Sequence, residues 1–208
     1  MALSIGTLSR RLEAVLDDFR RSRSTWEELS GDGFSVANAL VNSVIQAKYT
    51  EDTAYWHPAL LRAFPGITSM YNSKMDSLIA QHHTKLRNIH FKMKRQYTKM
   101  KQQQLELRAI CKRASEIRGD DYVNNVPVHK TCPMRTFAKG MDEIVEMYKA
   151  AMTSLESLLG PEGFTQIKNR EQGLALLSVW MNNPSLKDNI VQQFDELCRL
   201  EFHGTANR

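Results

Sequence analysis

The amino-acid sequence predicts an all-α fold, an elongated, coiled-coil-like helical hairpin followed by a small C-terminal helical bundle. Three observations support this prediction. Only ten glycines and six prolines occur in 208 residues, so few positions interrupt a helix. Apolar residues recur at spacings of three and four along most of the chain, which is typical of amphipathic helices. No stretch alternates apolar and polar residues for long enough to predict a strand.

The N-terminal part of the chain predicts two helices. An apolar stripe runs through residues 5–29 with a single polar member, Ser22, and predicts one helix there. The segment 31–33, Gly-Asp-Gly, follows directly, and because glycine commonly ends a helix we expect a stop or a kink at that point. Ser35 would then accept the free N–H groups of a second helix. Two prolines and a glycine indicate that residues 49–66 form a connection.

The most regular pattern belongs to residues 68–118, which predict a single long helix. Six residues repeat at intervals of seven, namely Ile79, Leu86, Met93, Met100, Leu107 and Ala114. Such heptads are typical of coiled coils, and His82, Gln96 and Gln103 interrupt the second heptad position. A helix of this length would be about 75 Å long, so we expect an elongated molecule. The apolar seam would face either the N-terminal helices of the same chain or a helix of a partner.

The rest of the chain predicts a connection and then shorter helices. Residues 119–135 contain two prolines and form the connecting loop, and an apolar stripe in 137–158 predicts a helix that ends at a Gly-Pro pair. Asn183 and Pro184 are typical of the N-cap and first turn of a last helix. We therefore expect three parts, which are the N-terminal helices with the long basic helix in residues 1–118, the connecting loop in 119–135, and a C-terminal helical bundle in 136–208.

The long helix carries most of the positive charge. Residues 81–118 contain eleven Lys or Arg and two Glu, a net charge of +9, whereas the whole chain carries +5. Such a helix is able to contact an acidic protein surface or a phosphate backbone. The candidate contacts are Lys92, Lys94, Arg95, Lys99 and Lys101, with Phe91 and Tyr97 among them as candidates for base stacking. The simpler alternative is that these side chains form the solvated face of a coiled coil, because no recognisable nucleic-acid module accompanies them.

The sequence contains no pattern typical of an enzyme, a metal site or a membrane protein. The three cysteines are widely spaced, and none lies at zinc-ligand spacing from a histidine. Phosphate-binding glycine loops and the GxSxG and HExxH motifs are absent, and Cys132 with His129 nearby is only a weak candidate for a nucleophile. No apolar run is long enough to span a bilayer, and the N-terminus lacks a signal-peptide layout. We therefore expect an intracellular, non-catalytic protein that needs no cofactor or metal.

Segments near both ends of the chain resemble the cyclin-dependent kinase 2-interacting protein family. Residues 25–42, TWEELSGDGFSVANALVN, are similar to the family's N-terminal signature of a Trp-Glu pair, a short break, Gly-Phe, a hydroxyl residue and Ala-Asn. Residues 146–152, EMYKAAM, and 177–184, LSVWMNNP, are similar to its Glu-Met-Tyr and Leu-Ser-x-Trp segments. Their order and spacing agree with the family pattern, and the resemblance covers about half of the chain.

The chain departs from the family pattern at two places. The family's Trp-Pro pair appears here as Cys132-Pro133, so a partner contact made by that Trp is not expected to be the same in this chain. Residues 58–66, PALLRAFPG, are more similar to the small coiled-coil protein that pairs with this family.

The resemblance implies an adaptor without catalytic activity. Family members are described as binding cyclin-dependent kinase and replication-initiation factors, as contacting the ATR-interacting protein in checkpoint signalling, and as subunits of an assembly built on a p97-like AAA+ ATPase hexamer. That assembly acts in replisome proteostasis and in maturation of the large ribosomal subunit. The resemblance thus implies a heterodimer with a small coiled-coil sister subunit and a nuclear location with the cytoplasm as a second one. The lack of a long apolar run separately predicts no membrane association.

Candidate partner contacts come from the motifs and the heptads. They are Trp26, Phe34, Asn38, Ile79, Leu86, Met93, Met100, Leu107, Tyr148 and Trp180. For the aromatic residues the alternative is structural, with Trp26 and Phe34 stabilising a helix corner and Tyr148 and Trp180 lying in a core. Two other functions stay open at this point. One is nucleic-acid binding through the basic helix of residues 81–118, and the other is a homodimeric coiled coil without any connection to an ATPase.

Overall fold

The computed structural model describes residues 5–202, which form α-helices joined by short connections. The helices are α1 (Ile5–Glu51), α2 (Pro58–Ala63), α3 (Ile67–Arg118), α4 (Asp120–Asn125), α5 (Met134–Leu158), α6 (Arg170–Asn182) and α7 (Asp188–Phe202). Short 3-10 turns occupy Thr53–Tyr55 and Phe164–Gln166. Within residues 5–202 no strand is formed, and one isolated bridge joins Pro127 to Pro133. The predicted all-α fold class is confirmed.

The helices form two compact units, and each unit combines distant parts of the sequence. Of the described residues, unit 1 contains 5–26, 94–151 and 184–202, and unit 2 contains 27–93 and 152–183. Helices α1, α3 and α5 therefore contribute residues to both units, whereas α7 belongs to unit 1 and α6 to unit 2.

Helix α1 contradicts the predicted break at residues 31–33. The helix continues through Gly31 and Gly33 as far as Glu51, and Ser35 lies inside it instead of at an N-cap. An interior glycine lowers helix stability by about 1 kcal/mol relative to alanine, but it does not end a helix by itself. At Gly33 a neighbouring aromatic ring occupies the space that a side chain would need.

The other predicted boundaries agree with the structure in part. Helix α3 begins one residue before the predicted start, and Gly119 follows its end with a φ of 86°, as a glycine stop requires. The prediction that Asn183 begins the last helix is wrong. Asn183 ends α6 in the left-handed conformation, with a φ of 38°, and α7 begins at Asp188. Within the predicted connection at 119–135, six residues form helix α4.

Close aromatic packing holds the core of unit 1 together. Phe19 of α1 meets Phe194 of α7 edge to face, with ring centroids 6.2 Å apart. Gly140 of α5 lets the same ring approach the helix backbone, because a Cβ added at position 140 would lie 2.5 Å from a ring carbon of Phe194. Interiors packed this closely leave no room for extra atoms, so α5 and α7 are fixed at a short separation at this point.

Candidate partner-binding surfaces

Trp26 and Tyr148, two of the candidate partner contacts, lie in the core of unit 1. Each residue is 1% exposed, and their rings meet edge to face with centroids 5.0 Å apart and an interplanar angle of 88°. Aromatic pairs in this geometry contribute about 0.5–1.5 kcal/mol beyond the burial of their surface. The pair therefore holds α1 against α5.

Trp180 of α6 is fully buried in unit 2 and packs against α1. Its indole Nε1–H donates a hydrogen bond to the Ser30 carbonyl oxygen at 3.0 Å. Gly33 makes room for the ring, since a Cβ at that position would lie 2.4 Å from Cζ2 of Trp180. The side-chain amide of Asn183 donates to the Trp180 carbonyl oxygen at 2.9 Å and lies 3.4 Å from the Ser30 hydroxyl oxygen. Residues of the two terminal segments that carry the family resemblance thus contact each other in the fold.

The heptad residues belong to the chain's own core. Leu86, Met93 and Met100 are fully buried, Leu107 is 1% exposed, and Ile79 is half-buried. A partner would therefore reach the four buried side chains only by displacing helices of this chain. Phe34 is also half-buried, and Asn38 is the one exposed residue among the ten candidates.

Polar residues that interrupt the apolar stripes of α1 and α3 pair with each other in unit 1. The Gln103 side-chain amide donates to the Ser22 hydroxyl oxygen at 3.1 Å, and that hydroxyl donates to the Asp18 carbonyl oxygen at 3.0 Å. The Oε1 atom of Gln103 is buried and accepts no hydrogen bond from the described residues. Since a buried polar pair is satisfied only in one alignment, it fixes the register of α1 against α3.

Arg23 is a buried charge that the sequence analysis missed. Its side chain is 3% exposed and forms an ion pair with Asp195 of α7, and its guanidinium carbon lies 5.1 Å from the Phe19 ring centroid. Removing the partner of such an ion would leave an uncompensated buried charge. The available sequence signal was the spacing of four from Phe19, which places Arg23 beside the apolar stripe of α1.

The basic candidates all lie on the exposed surface of α3. Lys92, Lys94, Arg95, Lys99 and Lys101 are each exposed. The Nζ atom of Lys101 lies 5.9 Å from the ring centroid of Tyr97, which is itself half-buried. Burial, with a smaller effect of Glu146, raises the pKa of Tyr97. Phe91 is 61% exposed, so of the two aromatic candidates for base stacking it presents the freer ring.

The loop that contains Cys132 is held to helix α7 by one carboxylate. The Cys132 carbonyl oxygen accepts from the Val128 N–H at 3.0 Å, which folds the loop back on itself. Glu201 is 4% exposed and accepts hydrogen bonds from the backbone N–H groups of Lys130 and Thr131, each at 3.0 Å, and from the Thr131 hydroxyl. Burial alone would raise the pKa of Glu201, but the hydrogen bonds from Thr131, Lys130 and Cys132 lower it to about 2. Glu201 is therefore a structural anion.

Exposed apolar side chains concentrate in and beside the connection at residues 49–66, where the heptad pattern does not extend. Tyr49, Tyr55, Phe64 and Met70 are each exposed by 59% to 76%. They lie outside the heptad positions, so the available signal was their crowding within 22 consecutive residues. We call these four residues the 49–70 apolar set. Exposed large apolar side chains mark interaction sites where they form a contiguous patch.

The described residues offer little support for metal, thiolate or membrane chemistry. Between residues 5 and 202, no group of three or more His, Cys, Asp or Glu side chains is arranged to hold a metal ion. Burial raises the pKa of Cys111, and burial together with Asp195 raises the pKa of Cys198 to about 12, so both thiols stay protonated near neutral pH. None of the described helices is both long and apolar enough to cross a membrane.

Comparison with known proteins assigns no family to the chain. No family model matches the sequence, and no curated protein matches it significantly.

Proposed function

We propose that this chain is a non-catalytic adaptor subunit of the kind described for the cyclin-dependent kinase 2-interacting protein family. In this proposal it forms a heterodimer with the small coiled-coil sister subunit and docks on a p97-like AAA+ ATPase hexamer. The assembly would act in replisome proteostasis and large ribosomal subunit biogenesis, with links to cyclin-dependent kinase and ATR checkpoint signalling. Its place of action would be the nucleus, with the cytoplasm as a second location.

The contact between the two motif segments is the observation that carries the proposal. Trp180 donates to the Ser30 carbonyl oxygen and lies against Gly33, and Asn183 lies next to both Trp180 and Ser30. The motif segments, about 150 positions apart, pack against each other, as is expected if they belong to one structural motif. Their packing supports a shared fold as the source of the motif, and with it the adaptor role of the family.

We also propose the finer architecture of a helical hairpin with a small C-terminal helical bundle. Helices α1 and α3 contact each other within unit 1, where Arg11 pairs with Glu106 at 2.7 Å. They also contact each other within unit 2, where the Gln46 amide donates to the Tyr71 hydroxyl oxygen at 2.6 Å. These contacts support a hairpin within one chain, which leaves the sister subunit to bind another surface.

The 49–70 apolar set is the surface we propose for the sister subunit. The core heptads are already covered within the chain, whereas these four side chains are exposed on unit 2. An interface on them adds apolar burial without any loss of existing packing, and each large side chain that becomes fully covered contributes about 1.5–3 kcal/mol.

Light scattering on size-separated protein tests this proposal. We expect the purified chain to be monomeric alone and to form a one-to-one complex with the sister subunit. The triple variant Tyr49→Ser, Phe64→Ser and Met70→Ser should abolish the complex. The matched control carries serine at three equally exposed apolar positions outside the set, Phe91, Leu105 and Leu174, and should retain the complex. A stable homodimer that ignores the sister subunit would contradict the proposal, and capture of the ATPase hexamer is the next test.

A second candidate function is nucleic-acid binding by residues 81–118. The observation that favours it is the row of exposed cations on α3, four of which (Lys92, Arg95, Lys99 and Lys101) have no ion pair among the described residues. Phosphate contacts release counterions, so the affinity for duplex DNA or RNA should fall steeply as salt rises, whereas an apolar interface should be nearly insensitive. Charge reversal at Lys92, Lys94, Lys99 and Lys101 tests it directly, since nucleic-acid binding that survives these changes excludes the basic helix as the site.

A further inference from the structure

A cavity of about 610 Å³ lies in unit 1 among helices α3, α4 and α5. Four cationic side chains line it, Arg108 and Lys112 from α3 and Arg135 and Lys139 from α5. Each pair is separated by four positions, so its two members share one face of their helix. The buried side chains of Cys111, Val123 and Ala138 also line the cavity and give it an apolar part.

The two carboxylates of the cavity already have partners. Asp142 accepts from the Arg108 Nε–H at 3.1 Å and from the Gln104 amide at 2.8 Å, and Asp120 accepts from the Ser115 hydroxyl. Asp142 compensates Arg108, whereas Asp120 is bonded only to a neutral hydroxyl and keeps its charge. The four cations therefore outnumber the two carboxylates and leave the cavity with a net positive charge.

The three remaining cations are Lys112, Arg135 and Lys139. All three are exposed, and none takes part in an ion pair with any described residue. Like charges four apart on a helix lower its stability by about 0.2–0.5 kcal/mol per pair, and the cavity places two such pairs beside each other. A concave site with an excess of one sign of charge also focuses the electric field and raises the local concentration of counter-ions. The arrangement therefore costs stability in the free chain and would be relieved by a bound anion.

We propose that this cavity binds a phosphate-bearing ligand with several negative charges. Lysine and arginine N–H groups are the usual protein partners of phosphate oxygens, and their charge-assisted hydrogen bonds are about twice as strong as neutral ones. The volume lies within the range of small-molecule sites, so it accommodates a polyphosphate chain or a whole nucleotide. In the nucleotide case, the apolar part beside Cys111 and Val123 takes the base.

Calorimetric titration of the full chain with tripolyphosphate, and separately with magnesium-free ATP, tests the site. We expect both ligands to bind, and the triple variant Lys112→Gln, Arg135→Gln and Lys139→Gln should bind each of them about tenfold or more weakly. The matched control, Arg62→Gln, Lys74→Gln and Lys187→Gln, removes the same charge from exposed positions outside both the cavity and residues 81–118 and should leave binding unchanged. The charge-preserving variant Lys112→Arg with Arg135→Lys should retain most of the affinity.

Each outcome decides the proposal. Equal losses in the cavity variant and the control would overturn it, because the effect would then be one of overall charge. Failure of the unaltered chain to bind either phosphate ligand would overturn it too, as would citrate binding as tightly as tripolyphosphate. Tighter binding of ATP than of tripolyphosphate would support the site and assign the apolar part to a base, and equal affinities would support it with the phosphate chain as the recognised group. Circular dichroism of every variant confirms that the helices are retained.

Discussion

Gly31 and Gly33 lie two positions apart inside helix α1, and we predict that the same substitution at each will change stability in opposite directions. A Cβ at Gly31 meets no atom within 4 Å. Gly31→Ala should therefore stabilise the protein by about 0.5–1 kcal/mol, because alanine restricts the unfolded chain and favours the helix.

At Gly33 the same gain in helix propensity is opposed by a collision. The new Cβ would lie 2.4 Å from Cζ2 and 3.1 Å from Cε2 of Trp180, and 3.4 Å from Cγ2 of Ile89. The indole is fully buried and fixed by its bond to the Ser30 carbonyl oxygen, so it has little freedom to move away. Overpacking of this kind costs about 1–3 kcal/mol, so Gly33→Ala should destabilise the protein by up to about 2.5 kcal/mol after the propensity gain is subtracted.

Urea unfolding followed by circular dichroism measures both variants, and a double variant tests the cause. Gly33→Ala should be less damaging in a Trp180→Phe background, because the smaller ring leaves space for the methyl group, so the two changes should not be additive. The reasoning is refuted if Gly33→Ala stabilises as much as Gly31→Ala, or if the two changes at positions 33 and 180 simply add.

Three further predictions concern polar groups of unit 1. The pKa of Glu201 is lowered to about 2, so its ionised form stabilises the fold fully above about pH 5, and this stabilisation is lost as the pH falls towards 2. The difference in unfolding free energy between the unaltered chain and Glu201→Gln should therefore shrink between about pH 5 and pH 3. Gln103→Met should lower the free energy of unfolding by less than about 1 kcal/mol, or raise it, because it removes a buried unpaired oxygen while the Ser22 hydroxyl keeps its backbone acceptor. Thermal unfolding measures this change. A thiol reagent at neutral pH should modify Cys132 before Cys198, whose pKa is raised to about 12, and peptide mass mapping would reveal the opposite order.

Local patterns were sufficient to predict the fold class and the long helix. The heptads predict a helix, and the Pro65-Gly66 and Gly119 signals on either side predict its start to within one residue and its end, because all of these are properties of neighbouring residues. The predicted break at 31–33 was wrong because the outcome there depends on a residue that is distant in the sequence. Whether a glycine ends a helix depends on what packs beside it, and the neighbour of Gly33 is Trp180, which is 147 positions away.

The candidate site was predictable only as a set of unusual residues. The sequence identified Trp26, Tyr148 and Trp180 as notable, but burial in a core and exposure on a partner surface produce the same local pattern. The cationic cavity was not predicted, because its cations come from α3 and α5 and match no local motif. Such groupings depend on how helices pack, and periodicity does not encode that packing.

The burial of the heptads restricts how any partner can bind. Withdrawing Leu86, Met93, Met100 and Leu107 from the core would cost about 1.5–3 kcal/mol for each side chain, and the total is comparable with the whole folding stability of a typical domain, about 5–15 kcal/mol. A helix that exchanged into this seam would have to restore all of that burial before it gained any net affinity. A helix that covers the 49–70 apolar set has no such cost to offset. A partner of ordinary affinity should therefore bind the exposed set and leave the heptad core closed.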